Sequence, residues 1–203
     1  MNSDTGTCGD GLQWRYCDSV LTIYGTGAMC DFSVDFNVST DDNRPWSGLN
    51  IKKIVIGDRV TGIGTDAFAQ ISSIEEVVIY SKSMRISDFA FFECENLEVV
   101  TFVHSDAENS IGDIGVSAFN GCEKLVSINL PNNGNLGEFA FSYCKSLRSI
   151  RVPKGTEIIE DGTFEGCETL LSVSIPETVK EIKVAAFNGC NKLKCIVLPK
   201  STT

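Results

Sequence analysis

The sequence holds one histidine, His104. A Ser-His-Asp or Cys-His arrangement would have to use it, since those chemistries need an imidazole that takes up a proton near neutral pH. It lies in Val103-His104-Ser105-Asp106-Ala107-Glu108-Asn109, with no motif around it, and reads as a solvated loop residue. Basic residues are also scarce, 17 Lys and Arg against 27 Asp and Glu, for a net charge of −10. A nucleic-acid binder needs a basic stripe to meet phosphates, so no nucleic-acid partner is expected. Contact with an anionic membrane surface is disfavoured on the same ground. No apolar run nears the roughly 20 residues of a membrane-spanning helix, so no membrane insertion is expected either. Met1 to Gly6 is polar and lacks the basic and apolar regions of a signal peptide.

Phosphate and acid-base motifs are missing as well. Gly62-Ile63-Gly64 and Gly25-Thr26-Gly27 lack the third glycine and the strand-to-helix setting of a dinucleotide loop, and read as turns. Glu75 and Glu76 are adjacent, but neighbouring strand residues face opposite ways, so they form no catalytic pair. The expectation is a chain without enzyme activity, cofactor or metal site.

What is present is a repeat. An Ala-Phe or Thr-Phe pair recurs with phenylalanine at 68, 91, 119, 141, 164 and 187, at spacings of 23, 28, 22, 23 and 23. Five residues before each comes an aliphatic residue, from Ile63 and Ile86 to Ile182. Three after comes Ile71 and then Cys94, Cys122, Cys144, Cys167 and Cys190. Aliphatic residues stand six and nine after, and apolar ones eleven after. Proline follows at 131, 153, 176 and 199.

The last part, apolar-x-x-apolar-x-apolar, alternates with period two and predicts a short strand. Phe-x-x-Cys-x-x-Leu steps by three, as one turn of helix or 3₁₀ structure does. One such coil cannot bury its apolar face alone, so coils stack and share one core. The expected fold is a leucine-rich-repeat solenoid. Its parallel sheet lies on the concave side, and its short helical or 3₁₀ turns lie on the convex side. Residues 51–203 make six full repeats behind one leading partial repeat, Ile51 to Ile56, giving about seven parallel strands. Residues 1–50 lack the repeat and read as an N-terminal cap on this single continuous domain. Within it, Leu12–Tyr16 and Leu21–Tyr24 alternate as a β-hairpin. Asp31 to Pro45 reads as a polar loop, and carries a glycosylation sequon at Asn37-Val38-Ser39.

Ala118-Phe119 through Pro131 and Ala186-Phe187 through Pro199 resemble the BspA-like leucine-rich repeat family. The cap is similar too, in Cys8 to Trp14, Leu21 to Met29 and Pro45-Trp46. The resemblance covers nearly the whole chain. It implies a cell-surface or secreted protein that binds host proteins or other cells, with no catalytic residue to carry over. The polar start leaves a cytoplasmic location open beside it.

The ladder cysteines recur at the solenoid period, not at the two-to-four-residue spacing of metal ligands. They read as small buried thiols packed against the next coil. Cys8, Cys17 and Cys30 fall in the cap, where Cys8 with either of the others could form a disulfide in an oxidising compartment. Cys195 is off the ladder, on an outward position of the last coil.

Positions eight, ten and twelve after each phenylalanine are expected to face outward from the sheet. They place Val78, Tyr80, Val99, Thr101 and Val103 together in the first coils, with Asn129 and Arg151 further along. Position twelve is then four prolines. An exposed apolar cluster marks a contact site, unless the cap or the 104–109 insertion folds over it. Residues 61–110 hold nine acidic and two basic residues. A basic macromolecular partner fits that balance, and so does a solvated acidic edge, the plainer reading. The candidate contact set is therefore Val78, Tyr80, Val99, Thr101, Val103, His104, Asp106, Asn129 and Arg151. No polar cap follows the sixth repeat before Lys200-Ser201-Thr202-Thr203. The natural chain then continues, or two copies pack end to end as a homodimer near Cys195 and Val197.

Overall fold

The computed structural model describes residues 4–34, 42–106, 110 and 112–200. The sequon at Asn37 and the insertion residues 107–109 lie outside them. The strands run β1 (Asp4–Gly9), β2 (Leu12–Cys17), β3 (Val20–Gly25) and β4 (Gly27–Ala28) in the N-terminal region. They continue through the repeats as β5 (Lys53–Ile56), β6 (Val60–Ile63), β7 (Glu76–Ile79), β8 (Arg85–Ile86) and β9 (Val99–Phe102). The last five are β10 (Ser127–Asn129), β11 (Ser149–Arg151), β12 (Ile158–Ile159), β13 (Ser172–Ser174) and β14 (Glu181–Ile182).

A seven-stranded sheet has the order β1-β2-β3-β5-β7-β9-β10, and β11 pairs with β13 apart from it. β1, β2 and β3 are antiparallel, so the expected hairpin of β2 and β3 forms with every pair in register. From β3 onward the pairing is parallel. The N-terminal region therefore continues the repeat sheet sideways through β3.

The apolar residues nine and eleven after the first five phenylalanines point inward. Val77, Ile79, Val100, Phe102, Ile150 and Val152 are all buried. The column five residues before phenylalanine builds a second parallel ladder. β4, β6 and β8 pair there, bridges join Ile86, Ile114 and Leu136, and β12 pairs with β14. No alternation marked these short strands in the sequence.

The phenylalanines stack in one column. Phe68, Phe91, Phe119, Phe141, Phe164 and Phe187 have ring centroids 5.1–5.8 Å apart from one coil to the next. Trp46 is the first rung, stacked on Phe68 at 5.2 Å. Its indole N–H donates to the Ala67 carbonyl at 2.9 Å. Arg44 supports the same end, bonding the Ala69 carbonyl at 2.6 Å and the Asp42 carboxylate through Nε and Nη2. Burial raises the Asp42 pKa, but the bonds from Arg44 outweigh it and hold the carboxyl below its usual range.

Between phenylalanine and leucine the chain turns by i+3 hydrogen bonds, as in Cys94 N–H to Phe91 O and Leu97 N–H to Cys94 O. Among the described residues these turns are not helices. Four of the five ladder thiols are buried as expected, and Cys190 in the last coil is half-buried. The Sγ–H of Cys94, Cys122, Cys144, Cys167 and Cys190 each donates to the preceding coil's phenylalanine carbonyl, at 3.1–3.2 Å.

Two expectations need correction. The strand expected in the last coil, around Cys195 to Leu198, is not formed. Ile196 there is half-buried and Leu198 exposed, so the alternation does not sink both residues into the core. The seventh parallel strand is β3 instead. The prolines at position twelve do not face outward either, since Pro131, Pro153 and Pro199 are buried. A proline has no N–H to give the sheet, and its ring turns in to end the strand.

Candidate binding face

The register of the parallel strands lays the solvent face out in rows. One row is Val20, Lys53, Glu76, Val99 and Ser127. The next is Thr22, Val55, Val78, Thr101 and Asn129. Ladder bonds from Gly57, Tyr80 and Val103 to Ile23, Ile56 and Ile79 set a third row, Tyr24, Gly57, Tyr80 and Val103. Val78, Val99 and Thr101 are half-buried among their neighbours, while Tyr80 and Val103 are each 44% exposed. Tyr24, also exposed, escaped the sequence reading. Its signal was the alternation in Leu21-Thr22-Ile23-Tyr24, which turns Leu21 and Ile23 inward and Thr22 and Tyr24 outward.

β3 lies beside this cluster, and Ser105 and Asp106 reach the later coils, Ser105 through Asn129 and Asp106 toward Arg151. The Asn129 side chain bonds the Phe102 backbone in both directions, accepting its N–H and donating to its carbonyl, each at 2.9 Å. It also donates to Ser105 Oγ at 3.0 Å. Arg151 donates to Asn132 Oδ1 at 2.6 Å and to the Leu130 carbonyl at 3.3 Å, and Asp106 stands 3.7 Å from it. Asn129 and Arg151 are thus tied to backbone as well as facing solvent.

Asp106, Asn129 and Arg151 surround one hollow of about 490 Å³ together with Ser149, Ser172 and Ser174. The serines were visible as columns but carried no signal in the sequence, because serine is common on any solvent face. Val78, Tyr80, Val99, Thr101 and Val103 belong to the adjoining strands. His104 sits at the rim in a small crevice with Met84, Phe102 and Pro131.

Part of the acidic stretch is already engaged. Glu75 and Glu76 pair with Lys52 and Lys53 of the preceding coil. Glu93 accepts from Gln70, and Asp88 accepts the Val116 N–H. Such exposed pairs contribute about 0–1 kcal/mol each, so they order charge without anchoring the fold.

The three cap cysteines are free thiols in this structure. Cys8 and Cys30 meet, with the Cys30 N–H and Sγ–H both directed at the Cys8 carbonyl, at 2.9 and 3.3 Å. Burial, aided by the neighbouring Cys30, pushes the Cys8 thiol up to about 12. Cys17 lies at the opposite end of β2 and donates to Asp18 at 3.4 Å, which raises its pKa. Cys195 is exposed in the last coil, and Val197 is 82% exposed. Among the described residues no group of His, Cys, Asp and Glu could hold a metal ion. None of their helices is long and apolar enough to cross a membrane.

Comparison with known proteins agrees with this architecture. No curated protein matches the sequence. Among solved structures, a leucine-rich repeat protein of T. pallidum superposes with a TM-score of 0.67 at 22% identity, covering 96% of this chain and 83% of that one. A leucine-rich repeat protein of Bacteroides ovatus gives 0.55 at 22% identity, over 95% of this chain and 53% of that one. A leucine-rich cell surface protein of Faecalibacterium prausnitzii gives 0.51 at 21% identity, over 100% and 50%. The chain therefore spans about half the length of the latter two. At these identities the likeness is one of fold. The sequence itself matches the BspA type leucine-rich repeat region in six copies, over residues 41–136 and 102–203. That match takes in most of the molecule, and the chain belongs to the BspA-type leucine-rich repeat family.

Proposed function

We propose that the chain is a non-catalytic module that binds a protein or another cell-surface macromolecule through the solvent face of its strand sheet. The single observation behind this reading is the exposed cluster of Tyr24, Tyr80 and Val103 beside Val78 and Val99. Large side chains gathered on a face that needs none for folding suit an interface anchor. Glu95, Glu98 and Asp106 are exposed in the same acid-rich stretch and suit a partner with basic residues at its rim. A cell-surface or secreted location goes with this role, and one fold relative carries a cell-surface description. Residues 1–50 act as the cap and 51–203 as the repeat array of one continuous domain.

The test is capture of partners from host-cell or whole-cell extracts, with Tyr80→Ser and Val78→Asp as controls. Loss of an anchor residue of this kind costs about 2 kcal/mol or more in binding, so capture drops at least tenfold while the protein stays folded. Unchanged capture by both variants would place the contact elsewhere.

A further inference from the structure

Cys8 is the penultimate residue of β1, and Cys30 lies just beyond β4. The Cys30 N–H donates to the Cys8 carbonyl at 2.9 Å. A backbone bond of this kind sets two Cα atoms roughly 5.5 Å apart, inside the span of roughly 4.4–6.8 Å that a disulfide bridges. Cys30 Sγ already lies 3.3 Å from the same carbonyl oxygen. Cys17 fails this test. The register sets Asp4 opposite Tyr16 and Gly9 opposite Leu12. Cys17 therefore stands some four residues along the hairpin from Cys8, roughly 13 Å away.

The two thiols differ in access. Cys8 is 2% exposed, whereas Cys30 is exposed and lines an open hollow of about 670 Å³ with Thr7, Gly9 and Asp10. A small disulfide reagent in solvent meets Cys30 and not Cys8. Cys94, Cys122 and Cys144 neighbour one another in the ladder, but all three are buried, so the same reagent meets none of them. The place of the pair also gives a bond a structural effect. Among the described residues β1 is the edge of its sheet and pairs with β2 alone. The segment of Cys30 is bonded to the first coil instead, from the Gly27 N–H to Arg59 O and from the Met29 N–H to Gly62 O. A link from Cys8 to Cys30 thus ties the edge strand covalently to a segment laid along the repeat array.

We propose that Cys8 and Cys30 form a disulfide by exchange with a small disulfide of the glutathione class, Cys30 being the entry thiol and Cys8 the resolving one. The Cys30 thiolate attacks one sulfur of oxidised glutathione, whose S–S bond breaks to release a first glutathione thiolate. Cys30 then turns from the carbonyl toward Cys8. The Cys8 thiolate attacks Cys30 Sγ and releases the second glutathione thiolate. Two electrons pass from the two protein thiols to one glutathione disulfide, and their two protons end on the two glutathione thiols. Burial pushes the Cys8 thiol up to about 12, so the resolving step is the slow one and quickens as pH rises. The site is independent of the binding face. It makes an oxidising compartment the setting in which β1 is fully tied down.

The test uses the reduced full chain, incubated with oxidised glutathione at pH about 8, quenched with N-ethylmaleimide and mapped by mass spectrometry. The expected product has lost about 2 Da and yields a linked peptide pair containing Cys8 and Cys30. A glutathione adduct on Cys30 precedes it. Amide exchange across Asp4–Gly9 slows about tenfold or more in the linked chain, and dithiothreitol restores it. Cys30→Ser, at an exposed position outside the core, abolishes both the link and the slowed exchange, while Cys17→Ser preserves both. The proposal is overturned if the chain is not oxidised, if either cysteine links to Cys17 or Cys195 instead, or if the adduct on Cys30 never resolves. A linked chain whose β1 exchanges as fast as the reduced one also overturns it.

Discussion

The side-chain amide of Asn129 donates to the carbonyl oxygen of Phe102 at 2.9 Å. In earlier coils the equivalent carbonyl receives a strand N–H, from Tyr80 to Ile56 and from Val103 to Ile79. At the coil of Asn129 that donor position is Pro131, which has no N–H. The next coil repeats the substitution. Pro153 cannot donate, and the Arg151 guanidinium bonds the Leu130 carbonyl instead. A side chain two residues before the proline thus replaces the hydrogen bond the proline removes.

A double-mutant cycle over Asn129 and Pro131 checks this replacement. Asn129→Ala leaves the Phe102 carbonyl and N–H without this partner. It is expected to cost about 1–3 kcal/mol in urea unfolding. Pro131→Val restores a backbone donor with a residue suited to extended chain, while losing some packing. In the double variant the loss from Asn129→Ala should shrink by about 0.5–1.5 kcal/mol. Strict additivity would mean that the two residues do not serve the same carbonyl.

This relationship also shows where sequence reading stopped. The phenylalanine column, the cysteine column and the inward strand residues were legible because each recurs with a fixed period and an apolar identity. The hairpin was legible from the alternation in Leu12–Tyr16. Asn129 and Arg151 read as solvent-facing contact residues, because a side-chain bond to backbone leaves no periodic trace. Trp46 read as cap and not as a rung, since nothing around it resembles Phe-x-x-Cys. β1 went unseen because Asp4-Thr5-Gly6-Thr7 is polar and takes its order from pairing with β2. Of the candidate site, the apolar rows followed from strand alternation. The hollow did not, because it depends on a break between two strands that look alike in sequence.

Trp46 should close the phenylalanine stack in energetic terms. It is buried, stacked on Phe68 and bonded to the Ala67 carbonyl. Trp46→Ala removes a large core side chain and is expected to cost about 3–5 kcal/mol. Trp46→Phe keeps a ring in the column but leaves the Ala67 carbonyl without its donor, for about 1–3 kcal/mol. Equal losses for the two variants would argue that stacking contributes little and that the hydrogen bond dominates.

Backbone strain recurs two residues before each phenylalanine. Asp66, Phe89, Ser117, Phe139, Gly162 and Ala185 all have φ between 52° and 56°. Only Gly162 adopts this left-handed conformation without a Cβ penalty. Ala185→Gly is therefore expected to stabilise the fold by about 0.5–1 kcal/mol, raising Tm by roughly 1–4 °C. Gly162→Ala should do the reverse and more. Beyond the strained φ, its new Cβ would run into the Phe139 ring. Differential scanning calorimetry of the two variants decides the matter, and a loss of stability in Ala185→Gly would contradict it.

The thiol ladder makes stability depend on alkaline pH, and the sign follows from which form is bound. Each ladder cysteine is a donor to a buried carbonyl, so only the protonated thiol fits its place. Burial pushes the Cys94 thiol up to about 12, and it raises Cys122 and Cys144 well above their ordinary value of 9.0. Below pH about 9 both folded and unfolded chains keep these protons, and the contribution is fully present. Above it the unfolded chain releases them while the folded chain still holds them. Stability is then lost as pH climbs from about 9 through the folded values. Urea midpoints should thus hold steady from neutral pH to about 8.5 and fall beyond. Replacing Cys122 and Cys144 by alanine should flatten that fall while lowering stability at neutral pH through the cavities left behind. Native-state alkylation gives an independent check, since the thiolate is the nucleophile. Iodoacetamide at pH 8 should modify the exposed Cys30 and Cys195 and spare the buried Cys94, Cys122, Cys144 and Cys167. Labelling of Cys122 as fast as Cys195 would show that the coils open there without unfolding, and the ladder would then not be the sealed core described above.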